Sequence, residues 1–262
     1  MMDAYILSAC RTSMGRFQGD FASLPATVLG SVVVREAVER ARLSVVAVNE
    51  VIMGQVLTAG VGQAPARQAA IAAGLPSSVA AFTVNKVCGS GLKAVMLAAQ
   101  AVQCGDADVI VAGGMESMSR AGWVLPRDAP RVGDRNLLDS LTYDGLTCAF
   151  SGSAMGKIAD QLAEDRGISR TEQDLYALQS HERATRAIDS GAFEEEIVPV
   201  VVPGNSGDST VLRDSGPRSG STLERLSALK PAFSPGGTVT AGNASMISDG
   251  AAAVVVGNQS AS

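Results

Sequence analysis

The sequence predicts an α/β fold, a mixed and mostly parallel sheet flanked by helices, and three observations lead there. Short apolar runs alternate with longer segments of helical periodicity through the first part of the chain. Apolar residues make up 46% of the composition but aromatics only 4%, so the core is built of Ala, Val, Leu and Ile, which suit tightly layered strands and helices. The 28 glycines fit the many tight connections that such layering needs. At 262 residues the chain is long enough for one large domain or two modest ones.

Taken in order, residues 4–8 read as a first strand. Residues 25–41 read as an amphipathic helix with Arg35, Glu36, Glu39 and Arg40 toward solvent. A second strand is expected over 51–57, and a short helix over 65–73 with Pro65 near its start and Gly74 after its end. Strand 79–84, helix 89–103 and strand 109–112 follow. The 89–103 helix is apolar on nearly every side (Leu92, Val95, Met96, Leu97, Ala99, Val102), the mark of a buried helix. Residues 119–150 carry Pro126, Pro130 and four arginines (Arg120, Arg127, Arg131, Arg135) and read as a long excursion. Helices are expected over 155–166 and from Ser169, whose spacing to Glu172 is that of a capping box, to about Ser190. A strand at 194–202 leads into a loop over 203–221 rich in Gly, Ser, Asp and Pro. Core-like sequence returns at Thr238, with a strand over 251–256. Residues 1–118 and 246–262 therefore read as one α/β domain, and 119–245 as an insertion into it; no internal repeat is visible.

Cys88 stands where strand 79–84 gives way to helix 89–103. Unpaired N–H groups and the dipole at a helix start favour negative charge, and the thiolate is the reactive form of cysteine. Gly89 and Gly91 remove side chains that would block a substrate carbonyl or a close backbone approach. The residues alone leave two readings open, a nucleophile at a turn and an inert core thiol.

Other function classes find little support. A formal net charge of −5 argues against nucleic acid as a partner. Cys10, Cys88, Cys104 and Cys148 form no C-x-x-C pair and no metal spacing with the single histidine. No disulfide framework or metal site is expected, and a reducing, cytoplasmic setting is. The first residues are too quickly charged for a signal peptide, and no run of 18 uninterrupted apolar residues suggests a membrane partner. Gly60 and Gly62 make only a partial dinucleotide loop, and Gly89-Ser90-Gly91 is not the G-x-S-x-G of a nucleophile elbow. His181, between Ser180 and Glu182, reads as a solvated helix residue.

The stretch VNKVCGSGLKAV (84–95) resembles the acyl-enzyme signature of the thiolases, which make or break 3-ketoacyl-CoA by Claisen chemistry. Residues 8–30, 49–70, 108–119, 230–233 and 238–256 are similar to other thiolase segments in thiolase order, most of all those of the acetoacetyl-CoA branch. The resemblance implies a thiolase-like fold whose inserted loop domain holds coenzyme A. It implies Cys88 as the acyl acceptor, Ser245 against the pantetheine arm, Leu146 and Met155 lining the pantetheine channel, and Arg218 near the nucleotide end. Substrates would be coenzyme A thioesters, with no covalently bound cofactor and no metal, and the assembly a homodimer or homotetramer.

The family's base histidine (in GHP), its second cysteine (in C-x-G) and its Asn-Glu-Ala-Phe segment belong to a C-terminal half, and none of these motifs occurs here. The resemblance thus covers only the N-terminal part of a thiolase. It implies joining two acetyl-CoA to acetoacetyl-CoA, or the reverse cleavage, without efficient turnover unless the missing half is supplied. Degradative cleavage of longer 3-ketoacyl-CoA, and a non-catalytic half that binds acyl-CoA or pairs with a partner subunit, are the alternatives. Ala154 stands where the acetoacetyl-CoA branch has a histidine, Arg225 where a small residue is common and Met246 where a glycine is, so short-chain selectivity is in question.

Overall fold

The structure is a computed structural model and describes residues 3–128, 132–205 and 207–261. The chain opens with β1 (Tyr5–Thr12) and the two-residue β2 (Gly15–Arg16). Pro25 leads into α1 (Ala26–Arg40), which buries Leu29, Val33, Val34, Ala37 and Val38 along one stripe. β3 (Glu50–Gly54), α2 (Pro65–Ala72), β4 (Ala80–Val84), α3 (Ser90–Cys104) and β5 (Val109–Ser117) follow. The Arg35 guanidinium crosses from α1 and donates to the carbonyls of Ala72 and Ala73, satisfying orphan acceptors at the end of α2.

The segment 119–245 begins with a short antiparallel pair, β6 (Trp123–Val124) and β7 (Leu138–Asp139), and a π turn over Leu141–Leu146. Pro130 and Arg131, counted in the expected excursion, lie outside the described residues. Next come α4 (Met155–Arg166), α5 (Arg170–Asp189), β8 (Ile197–Val198), β9 (Val200–Val202), β10 (Ser209–Val211) and α6 (Leu223–Ser227). The capping box is present: Glu172 donates its N–H to Ser169 Oγ at 3.2 Å, and the Ser169 N–H donates to the Glu172 carboxylate at 2.8 Å. The chain returns to the sheet in β11 (Ser248–Gly257).

The main sheet runs β4-β3-β5-β11-β1-β8, with β2 paired to β11. Three of its five neighbouring pairs are parallel (β3–β4, β3–β5, β1–β8), and β11 is antiparallel to both β5 and β1. One face carries Val51, Met53, Val109, Val111, Ala251, Ala253 and Val255 and is covered by α1 and α2. The other carries Ile52, Ile110, Ala112 and Val256 against Ala94, Ala98 and Val102 of α3. Burial on both faces is why these strands read as unbroken apolar runs.

Several elements differ from expectation. β5 runs on past Ala112 to Ser117, because Gly113 and Gly114, poor strand formers alone, are held by antiparallel pairing to Ala253 and Ala252. β1 likewise extends to Thr12, its end paired with Val198 of β8. β10 lies inside the stretch read as loop, paired to β9. α3 is not buried all round: Ala94, Ala98 and Val102 are fully covered, while Leu92 is 69% and Met96 46% exposed. By length and composition Val87–Cys104 could cross a membrane, yet one side of it is committed to the sheet.

Two polar clusters order the 119–245 segment, the first joining it to β1 and the second lying wholly within it. Arg11 of β1 donates from Nε to Glu196 at 2.5 Å and from both terminal nitrogens to Asp214 at 2.7 and 2.9 Å, with its guanidinium 5.1 Å from the Phe193 ring centroid. Asp174, fully buried, accepts from Arg170 Nε at 2.8 Å and from Asn243 Nδ2 at 2.9 Å, while Arg170 also donates to the carbonyls of Leu226 and Leu229. Asp174→Ala is expected to cost about 3 kcal/mol, since Arg170 and Asn243 lose a buried partner. Urea denaturation of the two proteins checks it.

Candidate active site

The site grows from the end of β4. Asn85 Oδ1 accepts the N–H of Val87 at 2.9 Å, and the Lys86 N–H donates to Ser90 Oγ at 2.8 Å. Ser90 Oγ donates in turn to the Val87 carbonyl at 2.6 Å, so one hydroxyl, 4% exposed, bolts both sides of the turn. Val87 is thereby held at φ +49°, a left-handed conformation that costs a β-branched residue on the order of 1–3 kcal/mol. Cys88 follows it, exposed, two residues before α3 begins. The turn is strand, strained residue, nucleophile candidate, helix.

Glycines let α3 sit directly on the sheet beneath that turn. A Cβ at Gly54 would lie 2.5 Å from the carbonyl carbon of Ser90 and 2.6 Å from the nitrogen of Gly91. A Cβ at Gly114 would lie 3.2 Å from the Gly91 Cα. The close approach is owed to Gly54 and Gly114; a Cβ on Gly91 itself would meet Gly114 at 3.6 Å, ordinary contact, so the approach does not require a glycine there.

A cavity of about 550 Å³ opens beside Cys88, lined mainly by apolar groups including Met14, Leu57, Leu92, Met118 and Leu146. Several polar side chains on it were not singled out by sequence, Gln55, Glu116 and Asp249 among them. Gln55, 2% exposed, donates from Nε2 to the Leu57 carbonyl at 3.1 Å. The Glu116 carboxylate accepts the N–H groups of Val56 at 2.8 Å and Leu57 at 3.3 Å. Burial pushes the Glu116 pKa up, against the pull of those two N–H bonds and with help from the Asp249 charge. A lone acid inside the apolar run VIVAGGMES was the available signal. Asp249, fully buried, accepts from the N–H and hydroxyl of Ser119 at 2.9 and 2.5 Å.

The inert-core reading of the cysteine belongs to Cys10 instead. Cys10 is buried, its Sγ donates to the Val33 carbonyl at 3.3 Å, and desolvation pushes its pKa up to about 12. Cys148 is held below the ordinary thiol range, first by the Ser151 hydroxyl and then by backbone N–H groups, but it lies outside the cavity that Cys88 lines. Among the described residues no three His, Cys, Asp or Glu side chains group as metal ligands.

Of the residues expected to meet coenzyme A, Leu146 lines the same cavity as Cys88. Met155 opens α4 and is 43% exposed, and Ser245 is exposed just after the Asn243 turn; neither lines that cavity. Arg218 lies in a second cleft, of about 630 Å³, together with His181. His181 is not the solvated residue expected: it is half-buried, and its Nδ1 accepts the Arg218 N–H at 3.3 Å.

Ser90→Ala is expected to cost roughly 1–2 kcal/mol and loosen the Cys88 turn, because the Lys86 N–H loses its partner and the Val87 carbonyl keeps only the Ser90 backbone N–H. Chemical denaturation and the labelling rate of Cys88 report the two effects.

A strand–turn–helix thiol over an apolar cavity, on a sheet with this order, places the protein in a definite class. Residues 4–260 match the family model "Thiolase, N-terminal domain", and the chain belongs to that family. It is 54% identical over 259 residues to the acetyl-CoA acetyltransferase of Cupriavidus necator and 53% identical over 259 residues to that of Pseudomonas aeruginosa, in each case over 98% of this chain. The crystal structure of the Bacillus anthracis acetyl-CoA acetyltransferase superposes with a TM-score of 0.96 at 37% identity over 99% of this chain. The chain spans 66% of the length of each of these three relatives.

Proposed function

We propose that Cys88 takes an acyl group from an acyl-CoA, the first half-reaction of an acetyl-CoA C-acetyltransferase. The Cys88 thiolate attacks the thioester carbonyl, a new C–S bond forms, the bond to coenzyme A breaks, and coenzyme A leaves as its thiolate. In the second half-reaction the α-carbon of another acetyl-CoA, its proton taken by a base, attacks the acyl-Cys88 carbonyl; a C–C bond forms, the bond to Cys88 Sγ breaks, Cys88 leaves as its thiolate and acetoacetyl-CoA is released, and the reverse direction is thiolytic cleavage. The observation that carries this reading is the exposed Cys88 on a strained strand-to-helix turn at the edge of a largely apolar cavity. The relatives named acetyl-CoA acetyltransferase support the substrate class.

The second half-reaction needs a base for the α-proton. His181 lies against Arg218 and does not line the Cys88 cavity, so we assign that step to the C-terminal part of the family fold. The reading carries with it a homodimer or homotetramer, for which the outer edge of β4, one of the two end strands of the sheet, is an available surface. Ser245, Met155 and Leu146 are assigned to the pantetheine arm and Arg218 to the nucleotide.

The test is intact-protein and peptide mass spectrometry after incubation with acetyl-CoA. One acetyl group on the peptide holding Cys88 is the expected result. Binding of acetyl-CoA with no adduct would reduce the chain to an acyl-CoA-binding half.

A further inference from the structure

Glu116, near the end of β5, and Asp249, near the start of β11, are acids on the wall of the Cys88 cavity, and the acyl transfer above gives neither a part. Asp249 takes the N–H and hydroxyl of Ser119. Glu116 takes the N–H groups of Val56 and Leu57, one on each carboxylate oxygen. Those two bonds reach further, because the segment they hold, 54–57, touches the Cys88 turn from both sides. Before the thiol, the Gln55 N–H donates to the Val84 carbonyl at 3.1 Å, at the end of β4. After it, Gly54 lies bare against the backbone of Ser90 and Gly91. Gln55 turns its side chain into the same corner: Nε2 donates to the Leu57 carbonyl, while Oε1 is buried without a hydrogen-bond partner. Such an orphan weakens a fold, and its place on the cavity wall marks the corner as shaped for the site rather than for stability.

We infer that Glu116 is a positioning residue for Cys88: by taking one N–H on each carboxylate oxygen it fixes the 54–57 segment, and that segment fixes the strand end and the helix start between which the thiol stands. This role rests on the acyl-transfer reading above for the chemistry that the position serves. Glutamine, close to glutamate in shape, is the sharp variant. Its amide oxygen keeps one of the two N–H groups, but its NH2 turns a donor toward the other. Aspartate keeps both acceptor oxygens on a shorter stem.

Two measurements on the native chain, Glu116→Gln and Glu116→Asp test it: the rate of Cys88 acetylation over a range of acetyl-CoA concentrations, and amide hydrogen exchange over 55–57 and 86–90. Glu116→Gln is expected to lower the saturating acetylation rate about tenfold or more, since a misplaced nucleophile loses much of the gain from orientation. The half-saturating acetyl-CoA concentration should move by less than about twofold. Exchange should quicken at 86–90 as well as at 55–57, and Glu116→Asp should restore part of both the rate and the protection. A merely structural Glu116 would lower the urea midpoint and quicken exchange at 55–57, but leave exchange at 86–90 and the saturating rate at their native values; that result overturns the proposal. A raised half-saturation with an unchanged saturating rate overturns it too, because Glu116 would then act in binding. If the native chain takes no acetyl group, the acyl-transfer reading fails by itself, and quickened exchange at 86–90 in Glu116→Gln still upholds the positioning of the turn.

Discussion

Cys88→Ala is expected to abolish the acetyl adduct, lowering acyl transfer by on the order of a thousandfold or more, while the fold and acetyl-CoA affinity stay near native. Stability should barely change because Cys88 is exposed and its Sγ packs no core. Cys88→Ser keeps a hydroxyl at the same place, but an alcohol is far less ionised than a thiol at neutral pH, so most of the loss should persist. Thiol labelling supplies an internal comparison. Cys10, buried and with its pKa raised to about 12, should resist iodoacetamide until the chain unfolds, whereas Cys88 should react in the native state. Retention of the acetyl adduct in Cys88→Ala would refute the assignment outright.

How much of this was legible in the sequence depends on the range of the interaction. The order of strands and helices around Cys88 could be read because β3 and β5 are buried on both faces and so carry unbroken apolar runs. The capping box could be read because it is local: Ser169 and Glu172 are three residues apart and satisfy one another. What could not be read is what arrives from far along the chain. β5 beyond Ala112 is a strand because β11, more than a hundred residues later, pairs with its glycines. Glu116 lines the Cys88 cavity because the turn after β3 offers it two N–H groups. His181 looked like a surface residue because its partner, the Arg218 N–H, is 37 positions away. The burial expected for α3 came from its composition, but composition counts apolar side chains without saying which side is covered. The side bearing Ala94, Ala98 and Val102 meets the sheet, and Leu92 and Met96 stay exposed.

The same distance argument makes Gly54 the most sensitive backbone position near the site. Gly54→Ala is expected to cost about 3 kcal/mol and to slow acylation of Cys88 severely. Its new Cβ would fall 2.5 Å from the Ser90 carbonyl carbon and 2.6 Å from the Gly91 nitrogen. Those atoms are backbone, so no rotamer change relieves the clash, and either the end of β3 or the first turn of α3 has to move. Moving α3 drags Ser90, which from beyond the nucleophile bolts Lys86 and Val87 just before it. Gly91→Ala is the control. Its Cβ would meet the Gly114 backbone at 3.6 Å, ordinary van der Waals contact, and alanine favours a helical position by up to about 1 kcal/mol over glycine. Urea midpoints and adduct rates measured side by side should therefore split the two substitutions, Gly54→Ala losing both stability and rate and Gly91→Ala losing little of either. Equal behaviour would mean that the contact between β3 and α3 is not what holds Cys88 in place.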